Sequence, residues 1–239
     1  VEQDYAAAYS ELHARHWWWR AREEYLLALL TRLRRPDGKG RLLDVGCGDG
    51  QLLDRLAPWG SAEGLETDRA TLTRESARRK IHVGPFDDSF VTAGRFDFVL
   101  FLDVLEHLPA PVAALQRARA LLAPGGKIVL TVPAFPALWT SHDDLNHHLI
   151  RPTKRTVHDW ASAAALKLDS ARYLFWTVAL AKVVQVQLER LRAPTPEVPR
   201  IPPEPFNALA LTIARLDLWS CRLLPAPFGS SIVAVLTPN

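Results

Sequence analysis

With 239 residues, 48% of them hydrophobic and 23% charged, the chain can bury one substantial core and has the balance of a soluble globular protein, so one elaborated domain is expected. A formal charge of +3 is mild, and basic residues such as Arg32, Arg34, Arg35, Arg74, Arg78 and Arg79 are scattered through helical stretches, which argues against nucleic acid as a partner. Two cysteines, Cys47 and Cys221, make no disulfide framework and point to a reducing cytosol. Val1-Glu2-Gln3-Asp4-Tyr5 has no signal character and no apolar run is long enough to span a bilayer, so a cytoplasmic, non-integral protein is expected.

Residues 1–40 read as an N-terminal helical segment carrying Trp17, Trp18, Trp19 and Tyr25. Three consecutive tryptophans cannot share one helix face, so most pack on the sheet and at least one is left for a ligand or a neighbouring element. Then β-type runs alternate with helical patterns: strand Arg41–Val45, a helix from about Gly50, strand Ser61–Leu65, a helix at Arg69–Arg79, strand Phe96–Leu102, a helix at Pro111–Leu122 and strand Lys127–Val132. This rhythm means right-handed crossovers and a parallel sheet, and the unbroken apolar runs at 98–102 and 128–130 suit strands covered on both faces. Pro124-Gly125-Gly126 stops a helix and turns into the next strand.

Pro133–Arg151 is a long loop rich in His, Asp and aromatic residues, which favours a functional role over a mere connection. A helix at Thr153–Ala165, a strand at Lys167–Tyr173 and an apolar helix at Trp176–Leu191 follow. The proline-rich 194–205 is an extended spacer, because fixed φ angles and missing donors exclude helix and interior strand. A second apolar helix at Asn207–Leu223 leads to a last strand, Ser231–Leu236. The core thus comprises 41–173 and 229–239, with 174–228 inserted as a helical cap.

The chemistry starts where the first strand breaks into Gly46, Gly48 and Gly50. Glycine takes positive φ and lets backbone N–H groups approach a ligand closely. About twenty residues on, the second strand ends in Glu66, where a carboxylate can grip a ribose diol. A nucleoside cofactor follows; a nicotinamide dinucleotide and an adenosyl cofactor both remain open, as does a noncatalytic ligand-binding or scaffold protein.

Four ordered motifs carry a resemblance: Leu43-Asp44-Val45-Gly46-Cys47-Gly48-Asp49-Gly50, the acid Glu66, the run Phe96 to His107 ending Leu102-Asp103-Val104-Leu105-Glu106-His107, and Leu121-Leu122-Ala123-Pro124-Gly125-Gly126. Together they resemble the class I S-adenosylmethionine-dependent methyltransferases, and His16-Trp17-Trp18-Trp19-Arg20-Ala21-Arg22 with Thr131–Trp139 is similar to a bacterial small-molecule subgroup. The resemblance implies an α/β, Rossmann-like, seven-stranded and mostly parallel sheet whose last strand is antiparallel, plus the inserted C-terminal helical cap. It also implies in-line methyl transfer from S-adenosylmethionine to a small organic acceptor, apolar or lipid-linked, leaving S-adenosylhomocysteine. The cofactor residues it implies are Arg22, Asp44, Gly46, Cys47, Gly48, Gly50, Glu66, Phe86, Asp87, Leu102 and Asp103. The chain departs at Gly84-Pro85-Phe86-Asp87-Asp88, where proline replaces the usual acid after glycine, so Asp87 or Asp88 and the Phe86 ring stand in for it.

Methyl transfer needs alignment and exclusion of water, and a hydroxyl acceptor also needs a base. His142, His148 and His107 are the catalytic candidates. His142, Asp143, Asn146, His147 and His148 have spacings that suit a metal, a base with its orienting carboxylate, or a solvated loop; a base or substrate contact is adopted and no metal is assigned. The apolar residues of the cap helices, among them Leu180, Val184, Leu188, Leu209, Ile213, Leu216 and Trp219, read most simply as core. A homodimer surface, an apolar substrate tunnel and weak membrane attachment are the sharper readings.

Overall fold

The structure, a computed structural model, describes residues 10–33, 40–192, 199–223 and 225–239; the first half of the proline spacer and the opening pentapeptide lie outside them. After a helical stretch at 10–15 comes α1 (Trp17–Leu33). Then follow β1 (Gly40–Val45), α2 (Gln51–Leu56), β2 (Gly60–Glu66), β3 (Ile81–Val83), β4 (Phe96–Leu102), α3 (Pro111–Leu121), β5 (Leu122–Pro133), α4 (Ser141–Leu145), α5 (Lys154–Ala163), β6 (Leu166–Leu174), α6 (Trp176–Leu191), α7 (Phe206–Leu223) and β7 (Ser231–Pro238).

These strands form one seven-stranded sheet in the order β3-β2-β1-β4-β5-β7-β6, parallel except that β7 runs antiparallel to both neighbours. Chain direction across the sheet reverses between β1 and β4, and the crevice at the carboxyl ends of such a pair is where ligands bind in open α/β sheets. Adjacent strand residues face opposite sides. Leu43 and Phe101 therefore join Leu115 of α3 and Val157 of α5 in one core layer, while Leu42 and Leu100 join Leu26 and Leu30 of α1 and Leu56 of α2 in the other.

Three expectations need correction. The three-residue β3 is too short to show a period in sequence, yet it pairs with β2 and completes the sheet. The helix expected at Arg69–Arg79 is two single-turn 3₁₀ segments, Arg69–Thr71 and Glu75–Arg78. Side chains there hold the backbone off a helical path: the Asp68 carboxylate accepts from the Ala70 amide, and the Ser76 hydroxyl and Arg79 guanidinium both donate to the Asp49 carbonyl.

The third correction concerns the cap. Val186, Leu211 and Leu218 are buried, but Leu180, Val184 and Leu188 of α6 and Leu209, Ile213, Leu216 and Trp219 of α7 are exposed. Only one stripe of each helix meets the body. α7 lies on α1 through Leu211, Ala214 and Leu218 against Ala21, and an Arg215–Glu24 ion pair flanks the contact. Asp217 joins the two cap helices, accepting from the amides of Trp176 and Thr177 at the start of α6 and from the Thr177 hydroxyl. The remaining apolar faces are the surface that the dimer, tunnel and membrane readings all require.

Candidate active site

The glycine turn sits at the carboxyl end of β1. Gly46, Gly48 and Gly50 have φ of 73°, 58° and 81°, the left-handed region that side chains avoid. At Gly46 a Cβ would also meet Val104 Cγ2 at 2.6 Å, so the turn is as narrow as its residues allow. Cys47 lies buried beneath it with its thiol pushed up by burial, the charges of Asp44 and Glu66 adding to the effect. It is a packing residue against Gly64, where a Cβ would meet its Sγ at 2.4 Å. Both described cysteines are free.

Glu66 ends β2 beside this turn. One oxygen accepts the Gly48 amide at 2.9 Å and the other the Asp68 amide at 2.9 Å, so the carboxylate is fixed at the rim of the crevice. Asp44, one strand across, is buried with Oδ1 lacking any partner among the described residues. Burial pushes its pKa up to about 7, with the Glu66 charge raising it further and Arg22 opposing.

Arg22 reaches down from α1. It forms an ion pair with Asp103, and its guanidinium lies 4.5 Å from the centre of the Trp18 ring. Asp103 follows Leu102 at the end of β4 with φ of 56°, and its other oxygen accepts from the Thr131 hydroxyl at 3.0 Å. Trp19, Arg22, Leu26, Leu52, Leu102 and Thr131 are among the residues lining a small space beside this pair.

Phe86 is half-buried against Phe101 and Phe90, at 5.5 and 6.1 Å between ring centres. Asp87 is exposed, and its carboxylate accepts from the amide and hydroxyl of Ser89, which lowers its pKa.

On the acceptor side the structure sorts the histidines. His107 and His148 meet edge to face, 4.7 Å between ring centres, although they lie 41 positions apart. His142 belongs elsewhere: its Nε2 pairs with Asn146 Nδ2 at 2.9 Å. His147 is exposed, so the five polar residues at 142–148 do not converge. Burial lowers the pKa of His107 and of His142 to about 4, with Lys182 adding to the effect at His142, and both rings are neutral at pH 7.

Asp143 organises this corner, and the orienting carboxylate that the sequence offered as one reading of the cluster is paired with His148. Fully buried, it accepts from the amide and hydroxyl of Thr140 to cap α4, from His148 Nδ1 at 2.8 Å and from Arg151 at 2.7 Å. Burial alone would raise its pKa, but His148, Arg151 and the Thr140 amide together hold it below the usual carboxylate range. Arg151, also buried, continues to the carbonyls of Ala134 after β5 and Ser230 before β7. The Leu149 amide donates to the Glu106 carbonyl at 2.8 Å and so brings the loop over the end of β4.

A family profile described as a methyltransferase domain matches residues 18–176, most of the glycine turn, sheet and loop just described. The chain belongs to that family. Its cofactor is S-adenosylmethionine, which decides between the two nucleosides that the glycine turn allowed. Two observations fit this cofactor: positive φ at Gly46, Gly48 and Gly50, which disfavours side chains at those three positions, and a buried carboxylate oxygen at Asp44, without a partner among the described residues, suited to an ammonium group.

A ubiquinone biosynthesis O-methyltransferase of Alkalilimnicola ehrlichii is 32% identical over 132 residues, 50% of this chain and 53% of the relative. A second one, from Xanthomonas axonopodis, is 34% identical over 119 residues, 46% of this chain and 48% of that relative. The chain thus spans about half the length of the curated relatives it matches. Among solved structures, the methyltransferase complexed with the Haloferax volcanii Trm112 activator has a TM-score of 0.62 at 19% identity, covering 99% of this chain and 95% of that one. The [4+2]-cyclase SpnF has the same TM-score at 16% identity, covering 100% and 96%. These neighbours establish the fold alone, and the cyclase shows why the reaction has to be argued from the site.

Proposed function

We propose that this methyltransferase-family chain moves a methyl group from S-adenosylmethionine, in line, to a hydroxyl of a small organic acceptor lying under residues 142–151 and the cap. The observation that carries the reading is the Asp143–His148 pair, buried beside His107 at the carboxyl end of β4. The two rings, one of them held by a carboxylate, give an acceptor hydroxyl a polar place to bind at the end of β4. The names of the ubiquinone relatives, O-methyltransferases, agree with oxygen as the methylated atom. When bound, S-adenosylmethionine supplies a sulfonium methyl that needs alignment more than covalent help from the protein. In this reading Gly48 and Glu66 hold its adenosine, Asp44 and Arg22 its amino-acid end, and Phe86 and Asp87 flank the base. Residues 10–33 with α6 and α7 form the cover, whose exposed apolar faces suit an apolar acceptor.

No helix among the described residues is long and apolar enough to cross a membrane. With two free buried thiols, a reducing cytosol is the compartment we infer.

The test is a thermal-shift titration. S-adenosylhomocysteine at a hundred times its dissociation constant stabilises by about 2.7 kcal/mol, a rise of about 5–10 °C for a chain of this size, and NAD gives none. Glu66→Ala removes a carboxylate that orders the turn and keeps the fold, so affinity falls about 10–100-fold, the worth of one or two charge-assisted hydrogen bonds. Stabilisation by NAD instead, or unchanged affinity in the variant, contradicts the reading. Transfer of a labelled methyl to a panel of phenols and catechols then tests the acceptor class: labelling of amines alone overturns oxygen.

A further inference from the structure

Glu106 stands apart from every other carboxylate in the site. It has no exposure, and neither carboxylate oxygen has a hydrogen-bond partner among the described residues. Buried polar groups are nearly always satisfied, and a carboxylate in this position calls for a counterpart that the described residues do not supply. Burial raises its pKa to about 8.

The group it faces is specific. One ligand atom from each of Glu106, His107 and His148 lies within 4.8 Å of the other two. These residues come from the end of β4 and from the loop after α4, and the Leu149–Glu106 main-chain bond holds the two segments together. Both rings have one side already committed. His148 Nδ1 is held by Asp143, and the His107 ring is hydrogen-bonded by the main chain at Asn146 and His147. With His148 Nδ1 held by Asp143, Nε2 is the nitrogen of that ring for another ligand.

From this juxtaposition we propose that Glu106, His107 and His148 bind a divalent transition-metal cation, with zinc the best fit and an open coordination position for the acceptor oxygen. Two imidazoles and one carboxylate form a donor set of open-site zinc centres, whereas magnesium and calcium prefer oxygen ligands throughout. Ligands about 2 Å from a common ion stand about 3.3 Å apart, so the three side chains close by at most about 1.5 Å when the ion enters. The Asp143–His148 contact is the outer-shell carboxylate that metal-bound histidines characteristically use to fix tautomer and orientation, with Arg151 and Thr140 fixing Asp143 in turn.

The inference rests on the methyltransferase reading only for what the open position receives. A hydroxyl bound there is acidified. Its O–H bond breaks with the proton passing to solvent, and the oxygen bonds to the methyl carbon. The carbon–sulfur bond breaks with its electron pair kept by sulfur, so a cationic sulfonium leaves as a neutral thioether and no oxidant or reductant takes part.

The experiment uses the full chain treated with a chelator, then titrated calorimetrically with Zn²⁺ and, in parallel, with Co²⁺ for its visible absorption bands. One ion per chain is expected. Glu106→Gln, close in shape and uncharged, and His148→Ala should each weaken Zn²⁺ binding at least about a hundredfold, since loss of a direct ligand exceeds the 10–100-fold typical of outer-shell changes. S-adenosylhomocysteine stabilisation, measured on the same samples, should persist in both variants and confirms that they fold. Absence of metal uptake by the wild type, with that stabilisation intact, overturns the metal site and leaves methyl transfer standing. Metal uptake that both folded variants retain places the ion elsewhere and overturns it equally. Absence of both metal uptake and S-adenosylhomocysteine binding in the wild type refutes both readings.

Discussion

Asp143→Ala is expected to lower stability by about 3–5 kcal/mol and to abolish turnover, because breaking a buried ion pair leaves the remaining charge without compensation. That charge is Arg151, which is only 3% exposed and has no water to turn to. The same carboxylate caps α4 through Thr140 and orients His148, so the loss is shared by the loop, the helix start and the acceptor side. Asp143→Asn keeps the volume and one carbonyl acceptor, so it should lose less stability than the alanine variant while still losing the fixed His148 tautomer. Urea unfolding of the three proteins measures the first effect and single-turnover rates the second. A stability change below about 1 kcal/mol, the range of an exposed pair, would show that Asp143 and Arg151 do not act as a buried pair.

Asp44→Asn should change the dependence of both stability and cofactor affinity on pH. The folded-state pKa of Asp44, about 7, lies above that of an unfolded aspartate, and burial is the main cause. A carboxyl whose pKa rises on folding contributes its full stabilisation below the unfolded value and loses it as pH rises through the folded one. The wild type without cofactor should therefore lose about 2–4 kcal/mol between pH 4 and pH 8 from this group, because each tenfold gain in proton affinity on folding is worth about 1.4 kcal/mol. Asparagine has no such dependence, so the variant should gain on the wild type across that window. Affinity has the opposite sign. A cationic amino group placed against Asp44 favours the ionised form, so wild-type binding of S-adenosylhomocysteine strengthens as pH rises through 7, and the variant binds about tenfold or more weakly at pH 8. Melting and binding curves measured from pH 5 to 8 decide the matter, and parallel curves for the two proteins would remove Asp44 from this role.

The sheet was legible where a strand is long and apolar on both sides, as at Phe98–Leu102 and Ile128–Leu130, and where punctuation is chemical, as at the three glycines. The bounds of α6, Trp176–Leu191, were also readable from its apolar pattern. What escaped was short or set by distant partners. Ile81–Val83 has too few residues for a period, and at 69–79 side-chain hydrogen bonds to Asp49 and within the segment outweigh helical propensity. In the candidate site, Glu66 and the glycine turn follow local rules that the sequence displays. Glu106 and Asp143 do not. A carboxylate after a strand is ordinarily solvated, and its burial here depends on a loop anchored by Arg151 to Ala134 and Ser230, contacts spanning 17 and 79 positions. Sequence spacing likewise groups His142 with His148, while α4 places them on different partners. The cap misled for a related reason: apolar periodicity identifies a face that avoids water, not the body that covers it.

The Arg22–Asp103 pair ties α1 to the tip of β4 beside the small space that Leu52, Leu102 and Thr131 also line. If Arg22 takes the cofactor's carboxylate, as proposed above, binding exchanges one ionic partner for another, the guanidinium passing from an internal carboxylate to an incoming one. Such an exchange makes arrival a gated event, slower than free diffusion and quickened by salt. It also makes departure self-sealing, because the internal partner stands ready to close the door behind the spent nucleoside.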